Sequence, residues 1–351
     1  MLSKIAQSIT KGVSYVLNGT SLSFPIRHNE DVRLVFYHGI GDKSSPSMKY
    51  LNDEILEKSF VKQLDYLESK YHFISLEKAV SYDSLGYSEQ KPPCSISFDD
   101  GLSTVFYKAY PILKKRNIPF TVFLNTAVVD NTDLLWLHTL GYLISTLGTE
   151  EIANSLNLLV GSDLPHVSAN AKDIENWFRS NMEYAITHDL VNKLAKEKSL
   201  NKQEQALKQD MYLTWDQVEE MAKNNVTFYS HTHRHLPLNT LNDATVVKSE
   251  ISLAQSILND HPKSCGKDFV SFPFGMRVDY GAKSIDYAFE SGHKYVVEVG
   301  DGLNNKDNVR NSNILARVGL GNVSGESSDL YCALELWPVV KSALKSIQGQ
   351  K

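Results

Sequence analysis

Two adjacent carboxylates stand at the end of an apolar run, in the segment 97–101 (SFDDG). Adjacent carboxylates are costly unless a cation or a proton compensates them. Side chains alternate along a strand, but at its end Asp99 and Asp100 can diverge toward one cleft, where one binds a metal ion and the other accepts a proton. A turn with a helix N-cap uses the same residue types, so this segment alone leaves both interpretations open.

Three of the eleven histidines fall within the segment 230–235 (SHTHRH), which follows a strand pattern ending at Tyr229. His231 and His235, four apart, would lie on one face of a helical turn, a spacing that suits two imidazoles converging on one ion. With a carboxylate they predict a two-histidine, one-carboxylate site that keeps positions open for water and substrate. The residue types favour Zn²⁺, with Ni²⁺, Co²⁺ or Fe²⁺ as alternatives. A loop without ligands, or His233 in place of one of the pair, also stays open.

A third segment, 271–275 (SFPFG), ends a strand pattern in proline and glycine beside an aromatic ring. Such a wall could stack on a sugar or an acyl face, which makes Pro273, Phe274 and Gly275 candidate substrate-binding residues. An edge strand that runs into a turn gives the same pattern, so this segment is weak evidence by itself.

Short apolar runs alternate with helical patterns along the chain, which predicts parallel strands joined by helices. The predicted strands cover residues 32–37, 94–98, 120–124, 226–230, 270–272 and 295–299. The predicted helices lie around residues 60–67 and over 103–116, 214–224, 243–259 and 282–291. This alternation indicates an α/β barrel or a doubly wound sheet, with its chemistry at the carboxyl ends of the strands. The three segments above stand at such ends.

Four regions are expected. Residues 1–30 have an amphipathic pattern, which predicts a helix packed on the domain or on another subunit, or alternatively a peripheral foothold on the inner membrane surface. Residues 31–325 form the catalytic domain, and residues 326–351 a helical tail. Residues 126–210 interrupt the strand rhythm and predict a helical insertion that either caps the site or serves as a docking surface.

Composition narrows the function classes. A chain of 351 residues with 42% hydrophobic content can bury a large core, and its net charge of −5 shows no basic footprint for nucleic acid. The three cysteines have no CxxC spacing, so neither a disulfide framework nor a thiolate zinc site is indicated. The N-terminal segment lacks the unbroken apolar core of a secretory signal. We therefore expect a cytoplasmic enzyme; its oligomeric state stays open.

Together the three segments resemble the polysaccharide deacetylase superfamily, carbohydrate esterase family 4, whose hallmarks are (S/T)-F-D-D-G and H-(S/T)-x-x-H segments. The resemblance covers about residues 32–318 apart from the insertion, and it implies a distorted (β/α) barrel. It also implies that Asp99 is the general base and that Asp100, His231 and His235 bind the metal ion. The segment 271–275 looks like the third family motif.

Two departures from the family pattern concern the catalytic groups. The arginine that many members carry before the third motif is replaced by the segment 270–272 (VSF), which leaves the orientation of Asp99 in question. The Leu-x-His segment that supplies a general acid is represented by 315–317 (LAR), and no histidine follows His293. His38, in a tyrosine-histidine strand ending that resembles many members, is the candidate acid; a structural histidine is the alternative.

The resemblance implies a hydrolase that removes an N-acetyl or similar acyl group from a carbohydrate, in surface-polysaccharide or glycolipid biosynthesis. The expected substrate is a lipid-linked, nucleotide-linked or polymeric N-acetyl sugar. A metal amidohydrolase acting on a small non-sugar amide and a catalytically silent glycan-binding homologue remain as alternatives.

Overall fold

Seven parallel strands close into a distorted barrel in the computed structural model, which describes residues 31–42, 45–51, 54–81, 91–261, 263–304, 309 and 312–336. The strands are β1 (Val32–Tyr37), β2 (Gly39–Ile40), β3 (Glu54–Ile55), β4 (His72–Phe73), β5 (Pro93–Phe98), β6 (Phe120–Leu124), β7 (Val226–Ser230), β8 (Cys265–Ser271), β9 (Tyr295–Val299), β10 (Leu303–Asn304) and β11 (Ile314–Gly319).

Around the barrel the strands follow the order β1, β11, β9, β8, β7, β6 and β5, and β5 pairs with β1 to close it. Each pairing in that circle is parallel. The short strands β10 and β4 lie outside β1 and β5, and β2 pairs with β3. Because parallel strands end at the same rim, the segments after β1, β5, β7 and β8 meet at one face. The predicted (β/α) barrel is confirmed.

The strands arise from short apolar runs that are buried on both faces, as parallel strands covered by helices require. All residues of β1, β5 and β6 are buried. Four of the six predicted strands have the predicted bounds; β5 begins one residue earlier than predicted, and β8 differs at both ends. The strand β11 was not predicted, because Arg317 interrupts its apolar pattern; that arginine is nevertheless only 1% exposed.

The helices of the described residues are α1 (Glu57–Lys70), α2 (Leu76–Val80), α3 (Tyr110–Lys115), α4 (Trp136–Leu147), α5 (Thr149–Val160), α6 (Ala171–Ser180), α7 (Met182–Thr187), α8 (Leu190–Glu197), α9 (Lys202–Gln209), α10 (Trp215–Ala222), α11 (Ala244–Asn259), α12 (Arg277–Glu290) and α13 (Ser327–Tyr331). The helix α10 begins with the capping box that the sequence predicts, in which Thr214 and Gln217 accept hydrogen bonds from each other's backbone N–H.

The region 126–210 contains the helices α4 to α9. Its apolar side chains do not form a separate core, since Leu140 and Phe178 belong to the same buried cluster as Phe272 after β8 and Tyr280 of α12. The insertion therefore packs directly on the barrel, above the rim where the candidate site lies.

The predicted amphipathic segment 1–30 lies outside the described residues. The predicted C-terminal tail 326–351 is described as far as residue 336, where α13 is followed by a π-helical turn, Cys332–Leu336. Among the helices of the described residues, none has both the length and the apolar character needed to cross a membrane.

Candidate active site

The two adjacent carboxylates stand directly after β5, at the rim of the barrel. The backbone N–H of Asp99 still continues the sheet, donating to the Tyr37 carbonyl at 2.9 Å. Asp100 and Gly101 then both have a φ of 67°, in the left-handed region. This turn ends the alternation of the strand and leaves both carboxylates facing one cavity. A side chain at Gly101 would also meet Leu124 of β6, since an added Cβ would lie 2.7 Å from its Cδ2.

The two predicted histidine ligands converge through a loop, so the predicted helical turn is wrong. Residues 231–235 have no helical assignment, and both Thr232 and His235 have a positive φ, 67° and 59°. These two left-handed residues bend the loop so that the rings of His231 and His235 lie 5.2 Å apart. Non-glycine residues adopt such angles only when the surroundings hold them there.

Several side chains hold this histidine loop in place. Asn125, after β6, donates to the His231 carbonyl at 2.5 Å, and the indole of Trp136 donates to the His235 carbonyl at 2.9 Å. The buried carboxylate of Glu250 accepts from the backbone N–H of Arg234 at 2.7 Å and from its Nε at 2.6 Å. The loop geometry therefore depends on contacts from β6, from the insertion and from α11.

Asp100, His231 and His235 offer three buried ligand atoms that lie within 4.8 Å of one another. The Nδ1 of His231 lies 2.8 Å from the Ser271 carbonyl. Because a carbonyl only accepts, that nitrogen carries the hydrogen and Nε2 keeps its lone pair, 3.5 Å from Oδ1 of Asp100. The Nε2 of His235 lies 3.4 Å from the same oxygen.

The protonation state of the two imidazoles suits a metal ion. Burial lowers the pKa of His231 to about 4, and it lowers the pKa of His235 well below the usual range. Both rings are therefore neutral near pH 7, as ligands must be. Two neutral imidazoles and one carboxylate are a donor set that fits a divalent ion such as Zn²⁺.

Arg317 of β11 is the main partner of Asp99. Its Nη1 and Nη2 donate to the two carboxylate oxygens at 2.7 and 2.6 Å, and its guanidinium also contacts the hydroxyls of Ser97 and Ser271. Burial by itself would raise the pKa of Asp99, but the charge and the hydrogen bonds of Arg317 oppose it, and that pKa lies below its usual value. In the sequence, Arg317 stands where family members carry the acid histidine. In the structure it contacts Asp99, whose orientation was left in question by the arginine missing before the third motif.

One cavity of about 400 Å³ contains the reactive groups. Asp99, Asp100, His235 and Arg317 line it, and so does the candidate acid His38. The charge of His38 is also a minor cause of the lowered pKa of Asp99. The structure therefore brings His38 into the same cavity as the predicted base.

The remaining candidates divide into those at the cavity and those away from it. Phe274 and Gly275 line it, whereas Pro273 is buried and is not among the lining residues. One face of the Phe274 ring is covered by the guanidinium of Arg179, 4.1 Å from the ring centroid. His233 points elsewhere, with Nδ1 2.9 Å from the Thr126 hydroxyl. His233 is accordingly absent from the three-residue ligand group.

A family model described as polysaccharide deacetylase matches residues 86–296. The chain belongs to the polysaccharide deacetylase family. The match includes the carboxylate pair, the histidine loop and the segment after β8. Family membership was predictable from these three segments.

A curated relative of this polysaccharide deacetylase is the poly-β-1,6-N-acetyl-D-glucosamine N-deacetylase of Staphylococcus epidermidis. It is 31% identical over 90 residues, which are 25% of this chain and 31% of the relative. The match thus spans about a third of the relative's length.

Two solved structures share the fold of this family member. The deacetylase PplD of Streptococcus pyogenes, in complex with acetate, has a TM-score of 0.53 at 18% identity, covering 85% of this chain and 96% of that one. IcaB from Ammonifex degensii has a TM-score of 0.52 at 16% identity, covering 87% and 97%. At these identities the likeness concerns the barrel alone.

Proposed function

We propose that this protein is a metal-dependent deacetylase that removes an N-acetyl group from a carbohydrate. The observation that carries the proposal is the grouping of Asp100, His231 and His235 beside a second carboxylate, Asp99, whose charge is maintained by Arg317. A three-ligand group with an ionised carboxylate next to it is an arrangement by which a metal ion and a general base can together hydrolyse an amide with water.

The residues divide the chemistry between them. A divalent ion held by Asp100, His231 and His235 would supply a Lewis acid that polarises the acetyl carbonyl. Asp99 accepts a proton from the water that attacks the carbonyl carbon, and its bidentate contact with Arg317 keeps the carboxylate oriented. The carbon–nitrogen bond then breaks, leaving acetate and a free amine.

The departing nitrogen must gain a proton, and we assign this step to His38. The assignment is supported by its position in the same cavity as Asp99 and Asp100. Alternative donors are His233, His138 and a metal-bound water, but neither histidine lines the cavity, and burial lowers the pKa of His138 to about 3. A group with so low a pKa holds no proton to donate at neutral pH.

The substrate proposed is an N-acetylated sugar of a surface polysaccharide or glycolipid, in lipid-linked, nucleotide-linked or polymeric form. The family membership and the poly-β-1,6-N-acetylglucosamine deacetylase named above support a carbohydrate. A cytoplasmic location, with or without contact at the inner membrane surface, is proposed with it and awaits a fractionation experiment.

The test is acetate release from N-acetylated sugars by protein that has been stripped with a chelator and then reloaded with Zn²⁺, Ni²⁺, Co²⁺ or Fe²⁺. We expect no release from the stripped protein and recovery on reloading. Acetate release that does not depend on the ion would contradict the proposed metal dependence. Acyl release only from small non-sugar amides would contradict the proposed carbohydrate substrate.

A further inference from the structure

The two proposed histidine ligands are held in different ways. The Nδ1 of His231 lies 2.8 Å from the Ser271 carbonyl, and this hydrogen bond fixes the direction of the ring. The Nδ1 of His235 makes no hydrogen bond to another described residue, although the side chain is buried. A histidine that binds a metal ion usually donates its second nitrogen to an acceptor that orients the ring. Among the described residues, packing is therefore what orients the ring of His235.

Phe274, in the segment after β8, packs against the His235 ring. The two ring centroids lie 5.0 Å apart and the planes meet at 66°, which is an edge-to-face contact. Phe274 and Gly275 have φ angles of 61° and 72°, so the backbone turns sharply here. The Gly275 carbonyl accepts from the N–H of Val299 in β9 at 2.7 Å. The turn that carries Phe274 is thus fixed on β9, whereas its half-buried ring depends on neighbouring side chains.

Arg179 of α6, in the insertion, covers one face of the Phe274 ring, with its guanidinium carbon 4.1 Å from the ring centroid. Two carboxylates hold this guanidinium. Its Nη2 lies 2.5 Å from Oδ1 of Asp279 in α12, and its Nη1 lies 3.6 Å from Oε1 of Glu175, one helical turn earlier. A cation over the face of an aromatic ring is attracted by the ring, most strongly where water is excluded. Because the Arg179 side chain is only 26% exposed, it forms a fixed cationic cap on Phe274.

A second contact connects the insertion to the same histidine. The indole of Trp136 in α4 donates to the His235 carbonyl at 2.9 Å, and its ring centroid lies 6.3 Å from that of Phe274. One insertion helix therefore holds the backbone of His235, and another reaches its side chain through Phe274. The φ of His235 is 59°, an angle that a non-glycine residue keeps only when its surroundings support it.

From these contacts we infer that Arg179 is a positioning residue, which holds Phe274 against His235 and thereby makes the metal affinity of the barrel depend on the insertion. This inference rests on the proposed function, because it concerns the proposed ligand His235. It gives Phe274 a role at the metal site that does not require stacking on a substrate. Arg179 likewise acts in this role through Phe274, without touching the reacting atoms.

The test measures the Zn²⁺ affinity of chelator-stripped protein by competition with a chelating dye, without any substrate present. Arg179→Ala and Phe274→Ala should each weaken Zn²⁺ binding about tenfold, the lower end of the loss when a residue that orients a ligand is removed. Because Arg179 acts through Phe274, the double variant should also lose about tenfold, and not the roughly hundredfold that two independent effects would give. The visible absorption of the Co²⁺-loaded protein should shift in both single variants as the ligand geometry changes.

The ion pair needs a control of its own, because Arg179→Ala leaves the buried carboxylate of Asp279 without its partner. Adding Asp279→Asn to Arg179→Ala removes that unpaired charge. We expect this protein to regain stability against denaturant while its Zn²⁺ affinity stays about tenfold below that of the wild type. Arg116→Ala is the matched control, because that arginine also contacts two carboxylates, away from the site. It should leave Zn²⁺ affinity unchanged.

The outcomes separate this inference from the function on which it rests. A wild-type protein that binds no divalent ion contradicts the proposed metal dependence, and the inference with it. Wild-type binding that Arg179→Ala leaves unchanged overturns only the inference. So does Zn²⁺ affinity that returns when Asp279→Asn is added, or a loss of about a hundredfold in the Arg179→Ala, Phe274→Ala protein. If Arg179→Ala does not fold, the Arg179→Ala, Asp279→Asn protein decides the matter.

Discussion

Replacing Arg317 by methionine should disable Asp99 as a base without removing a metal ligand. The guanidinium makes both short contacts to the Asp99 carboxylate and reaches the hydroxyls of Ser97 and Ser271. Methionine fills a similar volume but donates nothing. Asp99 would then be a buried carboxylate without its cation, and burial would raise its pKa. It would hold a proton at neutral pH and could not accept one from water.

The magnitude follows from the burial of the pair. Breaking a buried ion pair by removing one partner costs about 3 to 5 kcal/mol, and we expect that loss in the free energy of unfolding. Loss of a general base slows turnover about a hundredfold or more. Because the folded pKa of Asp99 is lowered, the pair stabilises the protein above the usual Asp pKa, and this contribution disappears as the pH falls through the lower folded value. The stability difference between the two proteins should therefore be largest near neutral pH.

The assay combines elemental analysis, chemical denaturation and acetate release between pH 4 and pH 9. We expect retained metal, lowered stability and an acid limb of the pH profile displaced upward. Arg317→Lys should recover only part of the rate, since one ammonium cannot make the bidentate contact. Arg116→Met is the matched control, because that arginine also contacts two carboxylates, Asp65 and Glu68, away from the site. An Arg317→Met protein with the wild-type rate and pH profile would refute the assignment.

Three further predictions concern the other groups of the site. Asp100→Ala should lose metal on dialysis, whereas Asp99→Asn should retain it and turn over about a hundredfold more slowly; full metal content in Asp100→Ala would contradict the ligand assignment. His38→Ala should slow hydrolysis of an N-acetyl sugar about a hundredfold but change hydrolysis of an activated phenyl acetate little, because a phenolate leaves without a proton; parallel slowing would make His38 structural. Glu250→Gln should weaken Zn²⁺ binding about tenfold to a hundredfold, measured by competition with a chelating dye. Glu290→Gln is the control: it removes a carboxylate from an exposed pair with Lys248 and should leave Zn²⁺ binding unchanged.

The metal ligands could be predicted from the sequence because they occur in short local motifs. Asp99 and Asp100 are adjacent, and His231 and His235 are four apart, so residue type and spacing sufficed to nominate them. The conformation was not accessible, since two left-handed residues rather than a helical turn bring the histidines together. Backbone angles of this kind are imposed by contacts from distant segments, among them Asn125.

Arg317 could not be assigned from sequence in the same way, because 218 residues separate it from Asp99. The sequence showed two departures from the family pattern. An arginine stands where family members carry an acid histidine, and the arginine that many members carry before the third motif is absent. The barrel relates the two departures, since closing the circle brings β11 beside β1, which pairs with β5 in turn. The same buried arginine concealed β11 in the apolar pattern.

The insertion shows how a region without ligands can still affect the reactive groups. Because no predicted ligand lies in residues 126–210, the sequence predicts a cap that a linker could replace. The chain leaving the insertion, however, is bonded to the turn that follows Asp100: the N–H of Ser103 donates to the Met211 carbonyl at 3.0 Å, and the N–H of Leu213 donates to the Gly101 carbonyl at 2.8 Å. A linker that starts at 126 and ends at 210 must therefore preserve the path of residues 211–213, or the carboxylate turn loses its support. Loss of metal from the shortened protein would indicate that the carboxylate turn has been disturbed. A second version, with the linker placed between residues 147 and 190, would distinguish that disturbance from a direct role of the cap.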